Sequence, residues 1–125
     1  MFHTEFIFMH TSSHNDLMNY TNEALATFRA ERRDVMKAFG DLAKAAMKDG
    51  AIGAKQKELI ALAIGISQHC SACIAFHTKA LVRLGATRDE IEDVLAICVY
   101  MGGGPNLMYS AEALKAFDEL SLNQT

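Results

Sequence analysis

The sequence predicts an all-α fold, a bundle of five to six helices in one domain. Three observations carry this. Ala, Leu, Met, Lys and Glu, all good helix formers, dominate a 125-residue chain with one Pro and no Trp. Glycines sit in a few places rather than being scattered, so breaks between elements are few. Apolar residues recur at three- and four-residue spacing, and no stretch alternates apolar with polar residues as a half-buried strand would. A chain of this length buries roughly two-thirds of its unfolded surface, enough for one core.

Residues 1–14 read as an N-terminal arm, and residues 15–122 as the helical domain. The arm is either flexible or docked on a neighbouring subunit, with Phe2, Phe6, Ile7 and Phe8 able to supply the contact. Asn15-Asp16 suits a helix start, and Leu17, Tyr20, Leu25, Phe28, Val35, Met36, Phe39, Leu42 and Met47 keep helical spacing to about Asp49, just before Gly50. That stretch is long for one helix, so a break is expected near residues 28–32 or at Gly40. Gly50 and Gly53 mark a short turn. The next helix runs from about Lys55 to Gln68, and Leu59, Ile60, Leu62, Ala63, Ile64 and Ile66 make it apolar nearly all round, which puts it at the centre of the core. Ser71–Leu84 follows at once and ends at Gly85, a natural left-handed cap. Thr87-Arg88-Asp89-Glu90 has the form of a capping box and opens a helix with Ile91, Val94, Leu95 and Cys98 on one face. Gly102-Gly103-Gly104 stops that helix, and Pro105 suits the first turn of the last one, where its missing N–H is not needed. The last helix runs to about Leu120, and the tail after it is expected to fray.

The formal net charge of −3, from 12 basic and 15 acidic residues, gives no reason to expect nucleic acid as a partner. Arg29, Arg32 and Arg33 are interrupted by Glu31 and Asp34 and read as a solvated helix face. The apolar runs are too short for a membrane span. The first residues lack the basic start and small-residue cleavage site of a signal peptide, so a cytoplasmic location is expected. In that reducing compartment a closely spaced cysteine pair is more often catalytic or metal-binding than structural.

Cys70-Ser71-Ala72-Cys73 is such a pair. Residues three apart share a helix face, so the two sulfurs can bond with little movement of the backbone. The pair also stands where a helix begins, and the backbone N–H groups and dipole there favour a thiolate. His77 lies four residues after Cys73 on the same stripe and can take the proton of Cys73. Glu58, on the preceding helix, is the candidate to orient His77. A solvated-face reading of Glu58 is open, because Lys55 and Lys57 are close in sequence. His69 adjoins Cys70 as a possible auxiliary group. Cys98 reads as a small core residue, and His3, His10 and His14 resemble a metal tract only weakly. The alternative for the pair is structural zinc held by Cys70, Cys73, His77 and either His69 or Glu58. No resident cofactor or metal is otherwise implied.

The pattern Glu58, eleven residues, Cys70, two, Cys73, three, His77 resembles the AhpD-like alkylhydroperoxidases of the carboxymuconolactone decarboxylase superfamily. The resemblance covers about residues 35–120. It takes in the helix before the cysteines, the Ala86–Glu90 start and the Gly102–Pro105 turn. It implies an all-α fold in which Cys73 attacks a hydroperoxide, Cys70 resolves it into a disulfide, and Glu58 and His77 relay the proton. It also implies a dithiol protein as reductant, and a homotrimer or homohexamer. Ile74, Phe76 and Met101 are apolar neighbours that would favour an organic peroxide. One position departs from the pattern. The best-known peroxidases carry His just before the second cysteine, where this chain has Ala72. That departure raises the standing of a disulfide reductase or redox relay without peroxidase activity. The superfamily's decarboxylases lack the cysteine pair.

Overall fold

Five helices follow the punctuation of the sequence in a computed structural model that describes residues 13–122. They are α1 (His14–Glu31), α2 (Arg33–Met47), α3 (Ala54–Ser67), α4 (Ser71–Arg83) and α5 (Arg88–Leu122), with no strand among the described residues. α5 is broken at Gly103, whose φ of 69° only glycine adopts without strain. Arg88, at the start of its first arm, pairs with Asp118 near the end of its second at 3.1 Å. The two arms therefore fold back on one another as a helical hairpin.

The core lies where α3, α4 and α5 meet. Leu62 and Ile66 from α3, Ile74 and Leu81 from α4, and Ile91, Leu95, Cys98 and Ala113 from α5 form one buried cluster. Full burial of each large aliphatic side chain stabilises the fold by roughly 1.5–3 kcal/mol. A smaller cluster of Met18, Ala75, Ala116 and Leu120 seats α1. α2 has no buried residue at all.

Polar caps set how the ends meet. The capping box forms in full: Glu90 Oε1 accepts from the Thr87 N–H at 2.9 Å, and Thr87 Oγ1 accepts from the Glu90 N–H at 3.1 Å. Lys55 reaches the same carboxylate at 2.9 Å, joining the starts of α3 and α5. The bonds from Thr87 and then Lys55 hold the Glu90 carboxyl below its usual range. Ser13 Oγ caps α1 by accepting the Asp16 N–H. The same helix end has a second, distant cap. Glu119 near the end of α5 accepts the N–H groups of His14 and Asn15 at 2.9 and 3.1 Å, and lies 3.1 Å from His14 Nδ1. Burial acts to raise the Glu119 carboxyl, but these bonds outweigh it and leave it below the usual range.

The hairpin of α5 closes around Asn106, which is 4 % exposed. Its Nδ2 donates to the Cys98 carbonyl at 2.8 Å and to Ser67 Oγ at 3.4 Å. Asn106 thus satisfies a carbonyl at the end of the first arm and ties it to the end of α3. A Cβ on Gly102 would overlap the Asn106 amide.

The break in the first helical stretch falls at Arg32, within the expected stretch of residues 28–32, with φ and ψ of −129° and 55°, and Gly40 stays helical inside α2. Two other boundaries differ from expectation. His14, assigned to the arm, is the first residue of α1, because Ser13 and Glu119 cap the helix there. The last helix continues to Leu122. The reading of residues 1–12 as a flexible or docking arm, and of residues 123–125 as a frayed tail, lies outside the described residues. α3 is central but not enclosed: Leu62, Gly65 and Ile66 are buried, while Ile60 and Ile64 on its other side are about half exposed. That side borders an open groove against the first arm of α5. No helix among the described residues is long and apolar enough to cross a membrane.

Replacing Glu119 by Gln should cost about 1.5–3 kcal/mol at neutral pH, the usual range for hydrogen bonds to a charged group. A carboxyl whose folded pKa is depressed adds stability above its unfolded pKa and loses it as pH falls through the folded one. Urea unfolding of wild type and E119Q should therefore differ at pH 7 and converge in acid. A difference that stays constant with pH would rule this account out. Gly102→Ala should lose roughly 1–3 kcal/mol through overpacking, seen as a lowered thermal midpoint.

Candidate functional site

The turn from α3 into α4 places the two cysteines. His69 N–H bonds the Ile66 carbonyl and Cys70 N–H bonds the Gly65 carbonyl, each at 3.0 Å, the paired bonds of a Schellman helix end. His69 holds the left-handed conformation this requires, with φ 55°. Cys70 then becomes the N-cap of α4, its Sγ accepting the Cys73 N–H at 3.2 Å. Cys70 and Cys73 are joined as a disulfide with Cα atoms 5.2 Å apart, and both are half-buried. α3 comes very near here: a Cβ on Gly65 would lie 3.3 Å from Cys73 Cβ. That contact would be tighter than most side chains make, so glycine lets α3 pass this close without displacing the sulfur-bearing turn.

One face of α3 continues from this contact to Glu58. At about 100° per residue, Glu58, Leu62 and Gly65 lie within a narrow stripe that faces α4. Glu58 Oε2 lies 2.6 Å from His77 Nδ1. A carboxylate is only an acceptor, so Nδ1 carries the proton, and in the neutral ring Nε2 is the nitrogen with the free lone pair. The Glu58 side chain is 16 % exposed and that of His77 35 %. The nearby lysines are otherwise engaged: Lys55 pairs with Glu90, and Lys57 donates to the carbonyls of Ala46 and Lys48. Glu58 is therefore the partner of His77 rather than part of a solvated charge cluster.

The structure brings Glu58, His77, Cys70 and Cys73 to the α3–α4 seam. His69 is the neighbour in sequence whose ring goes elsewhere. It stacks on Tyr109 with centroids 4.5 Å apart and planes 5° apart, and its Nε2 lies 3.3 Å from Asn106 Oδ1. Among the described residues no three of His, Cys, Asp and Glu are grouped so as to hold a metal ion, and the four-ligand set for zinc is not assembled. Cys98 is 3 % exposed inside the core, and burial pushes its thiol up, which keeps it protonated and unreactive. Ile74 is fully buried in the core and does not face a substrate. Met101 lines an open apolar groove of about 550 Å³ between α3 and the first arm of α5, with Ile60, Ile64 and Ile97. Ile60 and Ile64 lie on the side of α3 opposite the Glu58 stripe, so the groove is not the approach to the sulfurs. Sequence reasoning missed Gly65, Asn106 and Tyr109. The register of Gly65, seven residues after Glu58 on the same helical stripe, was the one signal available for it.

Comparison with known proteins agrees with this architecture. Residues 33–116 match the carboxymuconolactone decarboxylase family. An uncharacterized protein of Cupriavidus necator is 46% identical over 86 residues, which are 69% of this chain and 76% of that one. An uncharacterized protein of the cox locus of Paracoccus denitrificans is 34% identical over 83 residues, 66% of this chain and 75% of that one. Among solved structures, a carboxymuconolactone decarboxylase family protein from Legionella pneumophila superposes with a TM-score of 0.85 at 49% identity, over 86% of this chain and 96% of that chain. A Thermotoga maritima protein superposes with a TM-score of 0.75 at 26% identity, over 86% of this chain and 95% of that chain. A family match across most of the helical domain and a fold shared almost end to end with a family member place this chain in the carboxymuconolactone decarboxylase family.

Proposed function

We propose that the protein is a thiol-dependent hydroperoxide reductase of the AhpD-like kind, with Cys73 attacking, Cys70 resolving, and His77 with Glu58 moving the proton. The observation that supports it most is the 2.6 Å Glu58–His77 contact on the same seam as the Cys70–Cys73 pair. The Glu58 carboxylate fixes the tautomer that leaves Nε2 basic and stabilises the imidazolium that forms. Nε2 takes the Cys73 proton, directly or through one water. The Cys73 thiolate attacks the nearer oxygen of the hydroperoxide; the O–O bond breaks, sulfur is oxidised to sulfenic acid, and His77 returns the proton to the leaving alkoxide. Cys70 then attacks the sulfenic sulfur, forming the disulfide and releasing water. Its place at the helix N-cap, where its sulfur already accepts a backbone N–H, favours the thiolate this step needs. An external dithiol protein reduces the disulfide and is itself oxidised.

A second reading keeps the same sulfurs but drops the peroxide step. Ala72 favours it, because a methyl group occupies the position where the best-known peroxidases have a further imidazole. In that reading the pair exchanges disulfides with other proteins.

Consumption of tert-butyl hydroperoxide with dithiothreitol separates the two. Wild type should turn over above background and Cys73→Ser should not. Cys70→Ser should form a sulfenic acid on Cys73 that a dimedone probe traps. Glu58→Gln should lower kcat/KM about 100-fold, at the lower end of what a positioned proton-transfer group contributes. Wild type at background, with a disulfide that still forms and is reduced reversibly, would replace the peroxidase by the redox relay.

We also propose that the chain works as a homo-oligomer, a trimer or hexamer. α2 buries nothing, yet Val35, Phe39 and Leu42 share one of its faces and are each more than half exposed. With the half-exposed Ile60, Ile64 and Ile97 at the groove, this is more apolar surface than a monomer ordinarily leaves in water. Sedimentation at micromolar concentration should give a multiple of the chain mass, and Phe39→Glu should shift it toward the monomer. A wild-type monomer would overturn the proposal.

A further inference from the structure

α3 and α4 end in the same way. The first closes with the bonds of His69 and Cys70 described above. The second closes with Gly85 N–H to the Val82 carbonyl and Ala86 N–H to the Leu81 carbonyl, at 3.1 and 3.0 Å. Where the turn only has to finish a helix, the left-handed position is Gly85, with φ 77°. Where the turn leads into Cys70, the position is His69, the one non-glycine with positive φ among the described residues. A side chain there strains the backbone in a way glycine avoids, so the side chain must return something that glycine cannot.

What it returns is a grip from a third element. Tyr109 stacks on the ring and Asn106 Oδ1 faces Nε2. Both belong to the second arm of α5, which carries neither cysteine. Asn106 is itself fixed, since its Nδ2 is committed to the Cys98 carbonyl and Ser67 Oγ. Its Oδ1 is therefore the acceptor, and His69 donates from Nε2.

We propose that His69 is a positioning residue for the cysteine pair: its ring, held by Tyr109 and Asn106, pins the turn so that Cys70 stays over Cys73 and the disulfide is favoured over the dithiol. The inference rests on the thiol-redox reading above. In the dithiol no S–S bond restrains Cys70; its N–H still bonds the Gly65 carbonyl and its carbonyl accepts from the Ile74 N–H, and the peptide unit it shares with His69 adds the hold on that ring. Holding residue 69 from outside keeps the two sulfurs near bonding distance and raises the effective concentration of one at the other. The redox step is unaltered. The two thiols lose two protons and two electrons to a disulfide oxidant as the S–S bond forms, and a dithiol or two thiols restore them.

The test equilibrates wild type and variants in glutathione redox buffers, quenches with iodoacetamide and reads the oxidised fraction by intact mass. It needs no peroxide. His69→Gly keeps the turn in the residue best suited to it, and His69→Asn tolerates the same conformation. Both should make the disulfide about tenfold easier to reduce, a rise of about 30 mV in reduction potential. Tyr109→Leu should act in the same direction and add little to His69→Gly. If either His69 variant or Tyr109→Leu fails to fold by circular dichroism, the remaining ones decide the question. Folded His69 variants within twofold of a wild type that equilibrates normally would overturn this inference alone and reduce His69 to a helix end. A wild type with no reversible disulfide would overturn both it and the thiol-redox reading.

Discussion

The structure depends on how closely α3 passes α4. Gly65 lets the α3 backbone come near the Cys73 Cβ, and the turn that follows is only a few residues long. With the crossing that tight, residues seven and four positions away fall into place. Glu58 meets His77 one helical stretch from the sulfurs, and Leu62 and Ile66 drop into the core beside Ile74. The site is therefore built on two rigid helices rather than on a loop. Such placement holds a proton-transfer pair in a fixed geometry without a separate scaffold.

The second arm of α5 acts as the brace behind this crossing. Asn106 collects three separate parts of the chain: the end of α3 at Ser67, the turn residue His69, and the end of its own partner arm at Cys98. A buried amide of this kind is stabilising only when both its donor and acceptor sides are used, as they are here. The Gly102-Gly103-Gly104-Pro105 sequence has two tasks at this point. Gly103 reverses the chain, and Gly102 leaves the space that the Asn106 side chain fills.

Much of this was legible in the residues, and what was not has a common physical cause. The Thr87–Glu90 capping box, the left-handed Gly85 and the helix stop at Gly102–Gly104 are local devices, and local devices can be read from neighbours in sequence. The spacing of Cys70, Cys73 and His77 is also local, because all three belong to one helix start. The Glu58–His77 pair is not; nineteen residues separate its members, and only the packing of two helices decides whether they touch. His69 shows the limit most clearly. Its position beside Cys70 suggested a group acting on the cysteine, but a left-handed backbone turns its ring toward Asn106 and Tyr109, residues thirty-seven and forty positions on. The apolar run in α3 was read as core all round, and it is core on one side. Its other side is open among the described residues, a distinction that periodicity cannot draw when both sides are apolar.

The cap that Glu119 places on α1 bears on the order in which the chain is completed. α1 has a single buried residue, Met18, and it packs in a cluster with Ala75 of α4 and with Ala116 and Leu120 from the far end of α5. Its leading N–H groups are also satisfied by the far end. During synthesis, which proceeds from the N-terminus, α1 emerges before the other described helices and finds part of its seat on α4, but its distant cap and the rest of that seat wait for the end of α5. α3, α4 and the first arm of α5 can meanwhile assemble from contacts close in sequence. The first described helix to be made is thus the last to receive its full cap, and the cysteine turn is set in place before that cap forms.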